Sequence, residues 1–391
     1  MIDRLNLKTQ NKALNEDILN GIRQVLDSGR YLSGPQVAAF EREAASYLDS
    51  RHAISCASGS DALWLSLMAL GIGPGDEVIT TPFSFFATAE AIVHAGARPV
   101  FVDIRPDTFT LNPTLVEQAI TPATRAILPV HLFGQPADME LLQAIAHHHD
   151  LSLVEDCAQS FGARSGARMT GTFGDTGCFS FHPNTNLGAC GDGGLITTQS
   201  DTLADRLRAL CNHGCPQDPG QSGNQSRQAP SRSNHHESAG HNSRLDEFQA
   251  VVLRAKLRRL ERYNQARRYW ASYYNAALTG LPGLIPPRQS RGSRHVFNQY
   301  TVRVRQRDRI QQTLQSQGIQ SAIHYPRPLY RQPALARDFP GLTLPVAEKV
   351  TRQCLSLPIH PGLDENQADE VISTVRESLE ETAFSAARLT G

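Results

Sequence analysis

The sequence predicts an α/β protein with a mostly parallel sheet and crossover helices, followed by a smaller α+β unit at the C-terminal end. Three observations carry this. Between residues 53 and 157, short apolar runs alternate with segments of helical period, the pattern of strands joined by helices. With 391 residues, 40% of them hydrophobic, the chain can bury the core of one large domain and a smaller second one. A polar stretch and a leucine-lined helix then separate this alternating part from the rest.

Taken in order, "AISCAS" reads as a strand, "SDALWLSLMALG" as a helix closed by Gly71, and "DEVITT" as the next strand. "FFATAEAIVHAG" is helical, "RPVFVDI" a strand, "PTLVEQAI" helical, "RAILPVHL" a strand, "ADMELLQAIAHHH" helical and "LSLVEDC" a strand. Coupled so closely, they predict a large domain over residues 1–255 and a small one over 256–391. Leu253, Leu257 and Leu260 share one face of a long helix over 251–270 that joins the two. Beyond it, "FNQYTVRV" reads as a strand, "RDRIQQTLQSQG" as a helix and "IQSAIHYP" as a strand. The segment 215–242 is rich in Gly, Ser, Gln, Asn and Pro with almost no apolar residues, so it reads as a mobile surface loop. His235 and His236 within it are read as solvated rather than metal-binding, and no metal site is expected.

Composition narrows the function classes. Lys+Arg and Asp+Glu are both 38, so no whole-molecule field favours nucleic acid or an anionic membrane, and any anion must be met locally. Seven cysteines form an odd set without the density of a disulfide framework, which suits a reducing compartment. No stretch approaches the roughly 20 apolar residues of a bilayer span and the N-terminus is polar, so a cytoplasmic protein is expected. The basic run Arg254, Lys256, Arg258, Arg259 and Arg262, with Arg267 and Arg268, reads as a solvated helix face or as a stripe steering an anionic substrate.

Three short motifs carry the chemistry. In "SGSDAL", residues 58–63, small residues where a strand gives way to a helix leave N–H groups able to meet phosphate; Ser60 and Asp61 also suit a simple cap. In "LVEDCAQSFGA" an apolar strand ends in Glu155 and Asp156, where ligands gather in open α/β sheets. Asp156 there can hold a protonated ring nitrogen and Gln159 can turn its amide to the same ligand, or both acids are solvated strand-end charges. In "CFSFHPNTNLGACGDGG", Ser180 offers a hydroxyl and the four glycines after it allow close backbone approach.

Together with "GRYLSGPQVAAFEREAA", "PVHLFGQPADM", "GHNSRLDEFQA", "IHYP" and "LSLPIHP", these motifs resemble the DegT/StrS family of sugar aminotransferases, over nearly the whole chain. The resemblance implies the fold type I architecture of pyridoxal-phosphate (PLP) enzymes, with a sheet of the seven-stranded type. It implies that Asp156 partners the pyridinium nitrogen, that Gln159 approaches the phenolic oxygen, and that Phe85 stacks on the ring. Gly59, Ser60 and Ser180 are implied to hold the phosphate, completed by Asn242 from a partner subunit, hence a homodimer with shared sites. His324 and Tyr325 are implied to touch substrate, a keto sugar carried on a nucleotide diphosphate.

One position departs from the family. Where its members read S-F-x-P-x-K-N-L-G, this chain reads "SFHPNTNLG", so Thr185 stands at the place of the Schiff-base lysine. A threonine hydroxyl forms no imine and is too weak a base to take a carbon-bound proton. Only four lysines exist, Lys8, Lys12, Lys256 and Lys349, and none falls in a segment the family places at the cofactor. The expected cofactor is therefore PLP or its amine form, pyridoxamine phosphate (PMP), bound noncovalently. His182 is the nearest alternative base in sequence, although packing or lining the substrate suits that position better. Three activities follow: an aminotransferase scaffold inactivated at Thr185, a lysine-independent PMP-type dehydratase, or a noncatalytic binding or regulatory protein or inactive partner subunit.

Overall fold

In the computed structural model, which describes residues 1–216 and 235–389, the predicted alternation closes into one central sheet. Its seven strands are β1 (His52–Cys56), β2 (Glu77–Thr80), β3 (Arg98–Phe101), β4 (Thr124–Leu128), β5 (Ser152–Asp156), β6 (Thr176–Ser180) and β7 (Gly194–Thr198), in the order β1-β7-β6-β5-β4-β2-β3. Neighbours from β6 through to β3 run parallel, whereas β7 is antiparallel to both β1 and β6. Parallel strands are covered on both faces, which explains why they read as continuous apolar runs. Ile54, Val78, Val154, Cys178 and Ile196 pack on one face beneath the helix Gly59–Ala69, while Ala53, Phe179 and Leu195 pack on the other beneath Phe40, Ala44 and Leu253.

The register places the site. Cys56 at the end of β1 and Ser180 at the end of β6 both pair with Gly194 at the start of β7, and Asp156 at the end of β5 pairs with Cys178. Three strand ends therefore share one edge of the sheet, the edge at which the helix Gly59–Ala69 begins.

A second, three-stranded antiparallel sheet is formed by Leu284–Ile285, Tyr300–Val304 and Cys354–Leu357. Trp270, Tyr274, Leu314, Val371 and Val375 from the helices Leu260–Leu278, Arg307–Ser316 and Glu365–Leu389 cover it. Ile2 joins this second cluster through a bridge to Ile319.

Three expectations need correction. The stretch 251–270 is not one helix but two, Glu247–Leu257 and Leu260–Leu278, parted at Arg258 and Arg259. The physical reason is that Leu253, Leu257 and Leu260 pack with Phe181 in one core while Trp270 and Tyr274 serve the other, and one straight rod cannot face both. The stretch "IQSAIHYP" forms no strand, only the bridges of Ile319 to Ile2 and Ala322 to Ser356. The basic run is also no continuous face: Arg258, Arg259 and Arg262 are exposed, but Arg254 pairs with Glu43 at 2.6 Å and Lys256 and Arg267 are buried. Most of the 215–242 loop, residues 217–234, lies outside the described residues. No helix among the described residues is long and apolar enough to cross a membrane.

Candidate active site

At the sheet edge, Ser58 caps the helix Gly59–Ala69 by accepting the Asp61 N–H at 3.1 Å. Capping is thus done by Ser58 rather than by Ser60 or Asp61. It leaves the Gly59 and Ser60 N–H groups, the first two of the helix, without a backbone acceptor among the described residues. Gly59 lies so close to β6 that a Cβ there would sit 2.5 Å from Ser180 Cβ and 3.0 Å from its Oγ. Two helix N–H groups and one hydroxyl are thereby gathered, and the Ser180 proton has no acceptor among the described residues. Such a cradle of donors is suited to an anion such as phosphate.

Asp156 and Glu155 are both buried, which removes the reading of solvated strand-end charges. As adjacent strand residues they face opposite ways. Glu155 accepts from the N–H groups of Gly171, Phe173 and Gly174 and from His131 Nε2, while His131 Nδ1 accepts from Ala137. The donor atoms of His131, Glu155 and Cys157 lie within 4.8 Å of one another, but these bonds already use the imidazole and the carboxylate, so the cluster braces the strand end rather than offering metal ligands.

Asp156 is less fully served. Oδ2 accepts from Thr88 Oγ1 at 2.8 Å and Oδ1 from the Ala158 N–H at 3.1 Å, leaving a lone pair on each oxygen. Burial raises its pKa, and the Thr88 bond opposes that rise. Ser84 Oγ lies 2.9 Å from Thr88 Oγ1 and, with the Thr88 proton given to Asp156, is the donor of that pair. A cationic ring N–H is the partner such a carboxylate lacks. Ser84 and Thr88 escape the motif reading. The only sequence signal for Thr88 is its place three residues after Phe85, in the first turn of the helix Ala87–His94.

Aromatic and amide groups wall the space in front of the carboxylate. Phe85 is 59% exposed although it is a large aromatic side chain, and its ring centroid is 6.4 Å from that of Tyr325. Gln159 Nε2 donates to Tyr325 OH at 3.1 Å, and Gln159 Oε1 accepts the Phe133 N–H at 2.6 Å. Burial raises the Tyr325 pKa, so the phenol stays protonated. His324 lies half-buried with Nδ1 3.2 Å from Ser356 Oγ, and burial lowers its pKa to about 4.

The turn after β6 is held both by its own groups and from outside. Thr185 donates its hydroxyl to the carbonyls of His182 at 2.9 Å and Leu187 at 3.1 Å. Asn186 ties the turn to Asn264 and Val296, and a Cβ on Gly188 would lie 2.5 Å from the Pro183 carbonyl oxygen. His182 is exposed, with Nδ1 accepting the Asn184 N–H. One lysine does come to this turn: Lys256 is buried and its ammonium donates to the Gly188 carbonyl at 2.7 Å. Asn242 is exposed, bridged to Asn212, with Oδ1 accepting from Arg244.

The cradle, the half-served carboxylate and the bare ring of Phe85 together suit a phosphorylated, ring-nitrogen cofactor. The likenesses to known proteins agree with that chemistry. A profile of the DegT/DnrJ/EryC1/StrS aminotransferase family matches residues 12–376. The chain is 46% identical over 374 residues to a dTDP-3-amino-3,4,6-trideoxy-alpha-D-glucose transaminase of Streptomyces venezuelae, covering 95% of each chain. It is 43% identical over 378 residues to a UDP-N-acetyl-3-dehydro-alpha-D-glucosamine 3-aminotransferase of Acidithiobacillus ferrooxidans, covering 97% of this chain and 98% of the relative. The crystal structure of S. venezuelae DesV in complex with a ketimine intermediate superposes with a TM-score of 0.90 at 45% identity, covering 97% of this chain and 98% of DesV.

Proposed function

Because this chain belongs to the DegT/DnrJ/EryC1/StrS aminotransferase family, we propose that it binds PLP or PMP noncovalently beside a nucleotide-linked keto sugar, with ordinary transamination blocked at Thr185. Bound there, the cofactor supplies an amine carrier and an electron sink for the adjoining carbon. The chain's own residues do the rest. Gly59, Ser60 and Ser180 hold the phosphate. Asp156 keeps a proton on the ring nitrogen, with Thr88 and the Ala158 N–H holding its carboxylate in place. Phe85 covers one face of the ring, and Gln159 meets its phenolic oxygen. His324 and Tyr325 line the sugar side.

The observation that carries the proposal is the state of position 185. Its hydroxyl is spent on two carbonyls of its own turn, and the nearby ammonium of Lys256 is spent on Gly188. No side chain of the turn then offers a strong base. His182 lines the substrate path, consistent with its exposure. Losing a positioned base costs about 10² to 10⁴ in rate. Asn242 completes the phosphate site of a partner subunit in a homodimer, and the large cofactor-binding domain ends near residue 255. Free thiols at Cys56, Cys157, Cys178, Cys190, Cys211 and Cys354 accord with a cytoplasmic protein.

The deciding experiment treats the purified protein with PLP, then borohydride, and measures intact mass after denaturation. Saturable PLP binding by absorbance with no mass gain is expected. A permanent pyridoxyl adduct overturns noncovalent binding, and no saturable binding of either PLP or PMP overturns the cofactor assignment itself.

A further inference from the structure

Arg4 stands outside every motif that points to the cofactor, yet hydrogen bonds lead from it to both walls of the site. Its backbone N–H donates to Gln320 Oε1 at 3.2 Å, which anchors the N-terminal segment beside the second sheet. Its Nη1 donates to Gln299 Oε1 at 2.8 Å, the side chain's single hydrogen-bond partner among the described residues. Among the described residues no carboxylate pairs with it.

Gln299 is buried and continues in two directions. Its backbone N–H donates to the Phe133 carbonyl, and the Phe133 N–H donates to Gln159, which donates to Tyr325 OH. Its Nε2 donates to Asn298 Oδ1 at 3.3 Å, and Asn298 Nδ2 donates to the Asn184 carbonyl next to Thr185 at 3.1 Å. One N–H thus links the guanidinium, through Gln299, to both the Gln159–Tyr325 wall and the Thr185 turn, and the guanidinium lies near enough to Tyr325 and His324 to act on both. Burial lowers the pKa of His324 and Arg267, and Arg4 lies close enough to lower both further; burial also lowers its own, opposed by the Tyr325 phenol.

A half-buried cation without a counter-charge is costly unless a ligand brings one. The guanidinium fork matches a carboxylate with two parallel N–H bonds. We propose that Arg4 is a carboxylate-recognition residue of this site and that its ligand is a carboxylate of the amino-acid donor. The proposal rests on the cofactor-binding aminotransferase scaffold inferred above, with its donor pocket kept although turnover is blocked at Thr185. A donor must bring its amino group to the ring, so its carboxylates stay within a few Å of the reacting position. The diphosphate of a nucleotide sugar is held apart from that carbon by the sugar ring.

The test uses the full chain and two probes that cannot react, glutarate for the donor and UDP for the nucleotide, titrated by calorimetry with and without PLP. Arg4→Met is expected to weaken glutarate by about tenfold or more while leaving UDP within about twofold, and Arg4→Lys to recover part of the loss. Thermal melts check the fold of each variant, and if Arg4→Met fails to fold, Arg4→Lys and Arg4→Gln carry the comparison. Unchanged glutarate affinity overturns the inference, as does absence of glutarate binding in the unmodified protein or an equal loss of UDP. Failure of the cofactor reading shows separately, as loss of PLP binding, while the PLP-free glutarate titration still judges Arg4.

Discussion

At the scale of single residues, Thr185 and Thr88 make opposite predictions. Thr185 is half-buried and its own contacts are confined to its turn, so Thr185→Lys removes two hydroxyl bonds and adds an amine. If Asp156 and the phosphate cradle are intact, Thr185→Lys takes a borohydride-fixed pyridoxyl adduct at residue 185. Glutamate-dependent amine transfer to a nucleotide keto sugar then rises by about 10² or more over the unmodified chain. Peptide mapping of the adduct and a coupled glutamate assay read the two effects. An adduct on another lysine, or none, means that position 185 does not face the cofactor. Thr88 works by subtraction. Its hydroxyl is one of two donors to a buried carboxylate, and a hydrogen bond to a charged group contributes about 1.5 to 3 kcal/mol. Thr88→Val is expected to weaken PLP binding by about tenfold or more, and Thr88→Ser to restore most of it, since serine keeps the donor. Equal affinity in the valine variant would show that Asp156 needs no help to hold a ring cation.

At the scale of elements, the junction of β6 with the helix Gly59–Ala69 is the tightest part of the cradle. Gly59→Ala improves helix propensity by about 1 kcal/mol but drives a methyl to 2.5 Å from Ser180 Cβ and 3.0 Å from its Cα. Overpacking of this kind costs about 1 to 3 kcal/mol, so the clash wins and the strand end must move away from the helix. The expected result is a lower melting temperature together with weaker binding of inorganic phosphate and PLP. Adding Ser180→Gly should recover stability without recovering phosphate affinity; recovery of both would mean that the Ser180 hydroxyl is not a ligand. The elements that form this junction are legible in the sequence because strands covered on both faces are continuous apolar runs, and a polar residue ending such a run, as at Asp156 and Ser180, stands out. The break at Arg258 and Arg259 is not legible, because helical period continues across it and only the presence of two separate cores demands a turn. For the same reason "IQSAIHYP" looks like a strand: its alternation is real, but bridges at Ile319 and Ala322 are all the pairing it finds. Thr88 and Arg4 escape because their partners lie 68 and 295 residues away along the chain, and no local spacing encodes a contact at that range.

At the scale of the whole molecule, equal numbers of acidic and basic residues leave little long-range charge repulsion near neutrality, so the pH dependence of stability is set by buried groups. Three imidazoles dominate it. Burial lowers His295 from 6.5 to about 3, and His324 and His360 from 6.5 to about 4 each. The unfolded chain takes up these protons as pH falls below about 6.5, while the folded chain refuses them until about 4 or lower. Their contribution to stability is therefore full above about 6.5 and lost as pH falls through that window. Each group acting alone gives a slope of about 1.4 kcal/mol per pH unit, and three together about 4. The half-buried His324 lies at the weak end, whereas His295, stacked on Phe297 and accepting the Phe297 N–H at 2.8 Å, lies at the strong end. Asp156 runs the other way: its raised pKa contributes stability at low pH that is lost as pH rises through its folded value, so it softens the acid limb without reversing it. Urea melts between about pH 7 and about pH 4.5 should show the midpoint falling steadily at constant m-value, and His295→Gln should flatten that fall by about a third. A midpoint that stays level across this range would mean that these imidazoles are already charged in the native protein. The repulsion that Arg4 exerts on His324 would then have to be met by a counter-charge the two groups share.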